Sequence, residues 1–220
     1  MMTRTWMALA LLTALTLGGC STAPRPIESI RASGDHLFKI GDWEGARDEF
    51  AEIVSRFPGD WDAQYKLGVS CLNLKDTSTA RRALEIAYTR KPENRDVAAA
   101  LAETLYQQGD ETRLFAFLRD RAAKTQQVHD YLQLGKYAME LNDPDSARTA
   151  FETAIQIDDA KTTDPYKSSA LLAERLGQLD EAVRRLRQAY GINLEDRRVR
   201  EKLRELGEDP STVTPLPPGR

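Results

Sequence analysis

Residues 27–60 read IESIRASGDHLFKIGDWEGARDEFAEIVSRFPGD and residues 61–94 read WDAQYKLGVSCLNLKDTSTARRALEIAYTRKPEN. Each stretch is 34 residues long and they align without a gap: Gly34 falls on Gly68, Leu37 on Cys71, Ala46 on Ala80, Phe50 on Leu84 and Pro58 on Pro92. A fixed period of this size marks stacked, equivalent units, each too small to bury its apolar face alone. The same register places Leu101, Ala102, Leu105, Leu114 and Leu118 in a third copy. A fourth holds Leu134, Gly135, Ala138, Ala147, Phe151 and Ala154, and a fifth Ala170, Ala173, Ala182, Leu186 and Ala189. The copies run approximately 27–60, 61–94, 95–127, 128–161 and 163–196.

Within each copy, two apolar stripes at helical spacing flank a break, which predicts an antiparallel helix pair. Gly41, Gly109 and Gly177 fall at the break, where the residue after a helix often needs a left-handed backbone. Asn142 substitutes there at modest cost, and Lys75 suits the position less well. Gly34, Gly68 and Gly135 on the first helices, with Ala46, Ala80, Ala147 and Ala182 on the second, let two backbones approach closely. A larger side chain would wedge the pair apart.

This pattern of small and large residues resembles tetratricopeptide repeats. The resemblance implies an all-α fold, a right-handed superhelix of about five helix pairs with a C-terminal capping helix. Over the chain it predicts a repeat domain at 29–207, whose last segment, 197–207, is the cap: Val199, Leu203 and Leu206 share one side, with charges opposite. The third copy departs from the pattern, with Leu114 and Arg121 where small residues are usual and no closing proline. Irregular packing and a bend are expected there, at helix 112–124. Beyond the cap, Pro210, Pro215, Pro217 and Pro218 predict a Pro-rich, disordered tail at 208–220. The tail could alternatively serve as a ligand for an aromatic groove.

Ahead of the repeats, Arg4 precedes the twelve-residue run Trp6 to Leu17, which is rich in Ala and Leu. A helix crossing a hydrocarbon core needs roughly 20 apolar residues, so the run reads as the apolar region of a signal peptide. Leu17-Gly18-Gly19-Cys20 resembles a bacterial lipobox, which implies a signal peptide at 1–19, cleavage between Gly19 and Cys20, and lipidation of Cys20. An ordinary signal peptide with Cys20 near its cleavage site is the alternative. Several acyl chains on one residue give stable anchoring. Residues 20–28, with Pro24 and Pro26, then form a lipidated Cys and a stiff spacer. Ser21 stands where an Asp usually marks inner-membrane retention in such proteins. The expected location is therefore the cell envelope, lipid-anchored in the outer membrane and facing the periplasm.

Charge and chemistry narrow the function. The balance of 31 Lys+Arg against 34 Asp+Glu gives no electrostatic reason to expect nucleic acid as a partner. His36 and His129 are far apart in the array with no ligand set around them, so neither a metal nor any other cofactor is expected. Cys71 sits at an inward position and reads as a small buried hydrophobe. The arginines at 184, 185, 187, 197, 198 and 200 alternate with acids, which reads as a solvated face. No nucleophile elbow, phosphate loop or dinucleotide fingerprint occurs, and the chain is expected not to be an enzyme.

What remains is binding. In repeats of the family that the chain resembles, the first helices line a concave wall, and the groove-facing stripe lies beside the packing stripe. That rule nominates Tyr65, Val69, Leu72 and Asn73 in the second copy, Ala99, Glu103, Tyr106 and Gln107 in the third, and Leu132, Lys136, Met139 and Glu140 in the fourth. Aromatic anchors among amide and charged groups suit an extended peptide or partner helix. Tyr65 and Tyr106 could instead pack between neighbouring repeats. Lys136 and Asn73 alone do not make a carboxylate clamp. The function expected is a membrane-anchored, non-catalytic interaction scaffold with a protein or peptide partner, and a homodimer is open to such an array. An assembly factor for a type IV pilus or secretin machine is the alternative, on likeness of architecture.

Overall fold

The computed structural model describes residues 24–219. The expected signal peptide at 1–19, the cleavage point after Gly19 and the lipidated Cys20 lie outside the described residues. Those residues form eleven helices and no strand: α1 (Ile27–Ile40), α2 (Trp43–Arg56), α3 (Trp61–Asn73), α4 (Thr77–Arg90), α5 (Arg95–Gln107), α6 (Glu111–Thr125), α7 (Val128–Glu140), α8 (Pro144–Asp158), α9 (Asp164–Arg175), α10 (Leu179–Ile192) and α11 (Arg197–Glu205). Successive helices pack antiparallel as five pairs plus the cap. The first helices also meet one another, α3 with α5 and α7 with α9. None of the helices among the described residues is long and apolar enough to cross a membrane.

One turn, repeated five times, makes the pairs. Each first helix ends on a left-handed residue: Gly41 (φ 78°), Lys75 (φ 65°), Gly109 (φ 69°), Asn142 (φ 58°) and Gly177 (φ 72°). The next amide donates back to the carbonyl five residues earlier, as from Asp42 to Leu37 (2.9 Å) and from Asp143 to Ala138 (2.8 Å). These are the paired reverse bonds that close a helix on a left-handed residue. In four pairs the next residue is an Asp that caps the second helix, its carboxylate accepting from the amide three residues on. Those bonds are Asp42 to Gly45, Asp76 to Thr79, Asp110 to Arg113 and Asp143 to Ser146, all 3.0–3.1 Å. Hydrogen bonds from the Thr79 and Ser146 residues hold the Asp76 and Asp143 carboxyls below the usual carboxylate range. Termination and initiation are thus fused in two residues, which folds the second helix back at once.

The pair interfaces depend on missing side chains. A Cβ built on Gly68 would lie 2.5 Å from Leu84 Cγ, and one on Gly135 would lie 2.3 Å from the Phe151 ring. Gly34 is less pressed, 3.1 Å from the Phe50 ring. Phe50, Leu84 and Phe151 are buried by these contacts, each side chain contributing roughly 1.5–3 kcal/mol. Cys71 is fully buried in the same layer, and burial pushes its thiol up to about 11.

The third repeat is built differently. Of the five pairs, α5 and α6 approach least closely, consistent with Leu114 replacing the small residue found at Ala80. Arg121, where other repeats have Ala87 and Ala154, is 2% exposed. Its Nε donates to Asp130 on α7 at 2.8 Å, and its Nη1 donates to the Pro92 carbonyl. The Thr125 hydroxyl donates to the other Asp130 oxygen at 2.6 Å. The irregularity expected over 112–124 is therefore a buried ion pair joining the third repeat to the fourth.

Two expectations are corrected. The tail at 208–220 is not a free, disordered end: residues 208–219 lie against α10 and α11, because Pro210 is buried, Val213 packs on the apolar cluster of Val199 and Leu203, and the chain hydrogen-bonds to Arg187 and Tyr190. The spacer expected over 20–28 ends earlier. α1 begins at Ile27, and Arg25 is pinned to α2 by Glu49 (2.8 Å) and Glu52.

Candidate partner-binding groove

The apolar side of α7 turns Leu134, Gly135 and Ala138 toward the core. The stripe one step round the helix, Leu132, Lys136 and Met139, therefore points away from it, at spacings of four and three. That stripe lines a groove of about 430 Å³ between α5, α7 and α9, with Ala99 on one wall, Ser168 and Leu171 on the other, and Phe151 at the floor. The lining is chiefly apolar. Leu171 is 46% exposed and presents its apolar side chain to the groove.

Polar groups are few and placed along the rim. Glu140 is tied to Arg175 at 3.0 Å, which links α7 to α9. Lys136 is exposed, with its Nζ 5.1 Å from the Tyr137 ring centre, and His129 lies earlier on the same helix. The Gln133 side-chain oxygen is buried without a hydrogen-bond donor among the described residues. An unsatisfied buried acceptor is costly.

The nominated residues separate into three groups. Lys136 and Met139, with Ala99, Leu132 and Glu140, line the groove. Glu103, Tyr106 and Gln107 are tied to one another and to α7: Glu103 accepts from the Tyr137 hydroxyl (3.0 Å) and from the exposed Gln107 Nε2 (2.8 Å), and the Tyr106 ring centre lies 5.4 Å from that of Tyr137. Burial and the neighbouring Glu103 carboxylate push the Tyr137 phenol well above its ordinary value. Tyr65 and Tyr106 are both half-buried against the core, so packing between repeats is part of their role. Asn73 is spent on its own helix, its amide donating to the Val69 carbonyl at 2.9 Å. Tyr65, Val69 and Asn73 stand on α3, away from the groove.

His129, Gln133, Phe151, Ser168 and Leu171 were not nominated. Leu171 was within reach of the spacing rule: it stands 35 residues after Lys136, the fourth stripe carried on with one residue inserted. The arginine-rich C-terminal face is mostly paired, Arg184 and Arg185 with Glu181 and Arg197 with Glu201. Arg185 departs from the expected solvated face, being 7% exposed. Among the described residues no group of three His, Cys, Asp or Glu side chains could hold a metal ion.

Residues 31–81 and residues 131–161 each match a family model described as tetratricopeptide repeat. The fold is that of tetratricopeptide repeats. The array is similar to a thermophilic tetratricopeptide-repeat protein of Thermus thermophilus, at 20% identity and a TM-score of 0.56, over 82% of this chain and 98% of that one. It is also similar to residues 41 to the end of MamA from Desulfovibrio magneticus, at 14% identity and a TM-score of 0.60, over 78% and 97%. A third likeness is to a tetratricopeptide repeat protein from Parabacteroides merdae, at 14% identity and a TM-score of 0.62, over 82% and 72%. Comparison with curated proteins finds no match. Identities this low establish the fold of the array and nothing finer.

Proposed function

We propose that the chain is a non-catalytic interaction scaffold of a bacterial cell envelope, anchored through acylated Cys20, that holds a partner's helix or extended segment in the groove between α5, α7 and α9. The observation that carries the reading is the groove itself: an open, apolar channel on the first helices, with Leu171 exposed in it. Apolar anchors from the partner would cover Leu132, Met139 and Leu171, and an acidic group would meet Lys136. The lipobox-like Leu17-Gly18-Gly19-Cys20 supports the anchor.

The test is crosslinked capture from envelope membranes with the tagged full chain, a Met139→Glu, Leu171→Glu variant and a Tyr65→Ala, Tyr106→Ala variant. Loss of a captured protein with the first variant, while the second retains it, places binding in the groove. Retention by both moves the interface elsewhere. Separately, Cys20→Ser is expected to release the protein from the membrane fraction, and unchanged fractionation would remove the anchor from the reading.

A further inference from the structure

Residues 209–219 lie on the array as a peptide lies on a receptor. After a turn in which the Val213 amide donates to the Asp209 carbonyl (2.8 Å), the chain crosses α10 without regular secondary structure of its own. There the Leu216 amide donates to the Arg187 carbonyl at 3.1 Å, and Arg187 Nε donates to the Thr214 carbonyl at 2.8 Å. A helical carbonyl has two lone pairs, so Arg187 can accept from outside its helix. Upstream, the Tyr190 hydroxyl donates to the Pro210 carbonyl at 2.7 Å, and Val213 fills the apolar patch of Val199 and Leu203.

Gly191 makes the fit possible. A Cβ at this position would stand 2.3 Å from the Leu216 carbonyl oxygen, so any side chain would lift the segment off the helix. Unlike Gly68 and Gly135, Gly191 makes room for a backbone, where glycine's missing side chain matters most. Most of the bonds that hold the segment read its main chain. Pro215, Pro217 and Pro218 keep it extended and bring no N–H that would need a partner. Beyond Pro210, Val213 and Leu216 the side chains of 211–218 are exposed, so the segment rests on a finished helix pair and is not enclosed by it.

We propose that the face of α10 around Arg187, Tyr190 and Gly191, with α11 beside it, is a second peptide-binding site, for extended, proline-flanked segments bearing one aliphatic anchor, and that the chain's own tail occupies it in cis. The site shares no residue with the first-helix groove and goes beyond the scaffold reading. A partner segment of the same form competes with the tail, and the competition is steep because a tethered occupant acts at high effective concentration.

The experiment empties the site from the tail's side. In the full chain, Leu216→Pro removes the donor to Arg187 and Val213→Asp removes the anchor, leaving α10 and α11 unchanged. A fluorescently labelled peptide of residues 208–220 is titrated into this variant, into the wild-type chain, and into the variant carrying Gly191→Val as well. Saturable binding to the emptied chain is expected, with affinity at least about tenfold weaker for the other two. A folded, emptied chain that ignores the peptide overturns the proposal, as does binding that is indifferent to Gly191. Loss of helical circular dichroism on emptying also overturns it, because the tail would then be an integral part of the fold.

Discussion

In the second and fourth repeats, Gly68 and Gly135 let Leu84 and Phe151 sit where a methyl group would otherwise be. At the junction of the third and fourth repeats, Arg121 and Asp130 fill an interior that at the equivalent second-helix position holds Ile53, Ala87 or Ala154, each of their side chains 3% exposed. Both solutions join adjacent helices, but they fail differently. A glycine contact is specified by volume, so enlargement costs more the further the facing side chain must move. A buried ion pair is specified by completeness: losing one member strands a charge, whereas losing both leaves only a packing problem.

The comparison can be broken most severely at the ion pair. Asp130→Ala leaves the Arg121 guanidinium buried without its carboxylate and is expected to cost about 3–5 kcal/mol in urea unfolding. A loss below about 1 kcal/mol would mean that Arg121 finds water or another acceptor. Gly68→Leu and Gly135→Leu come next, on the order of 1–3 kcal/mol each, or several degrees in Tm for a domain of this size. Gly34→Ala should fall below both, because its Cβ would meet Phe50 at 3.1 Å against 2.5 Å and 2.3 Å for the other two. Equal losses at the three glycines would show that the interfaces relax freely.

Smaller effects sharpen the contrast. Asp143→Ala removes the cap on α8, a loss of roughly 1 kcal/mol at neutral pH. Because the folded pKa lies below the unfolded one, the stability that the ionised cap contributes is present above about pH 4 and disappears as pH falls through the folded value. The variant and wild-type stability curves should therefore converge in acid, and parallel curves would exclude the carboxylate as the cause. Replacing the pair together, Arg121→Met with Asp130→Leu, should leave stability within about 1 kcal/mol of wild type or raise it. A loss as large as that of Asp130→Ala would show that the pair sets the geometry of the junction.

Volume is legible in a sequence and partnership is not. The small residues at 34, 68 and 135 stand out because they recur at a fixed period, and each lies at a tight helix contact. Arg121 is recognisable as out of place, but nothing in its neighbourhood names Asp130 or the Pro92 carbonyl as its partners. The capping acids at 42, 76, 110 and 143 carry a readable signal, an Asp directly after the break residue, which a reading confined to the break residue itself passes over. Lys75 takes its left-handed conformation only because its neighbours demand the turn, a tertiary override of residue preference. The tail defeats composition for a related reason: proline content reports stiffness, and whether a stiff segment docks depends on a surface such as Gly191 that composition does not display. In the groove, the stripe rule reaches Lys136 and Met139 but treats Tyr106 as facing outward, where Tyr137 draws it into the repeat interface.

Cys71 turns the architecture into a timepiece. Alkylating reagents react with the thiolate, and this sulfur is both fully buried and held protonated by a pKa of about 11. Labelling can therefore advance only during the intervals in which α3 parts from its neighbours. The rate at which a mass spectrometer finds modified Cys71 then counts the openings of the array's N-terminal half, with no probe introduced and no residue changed.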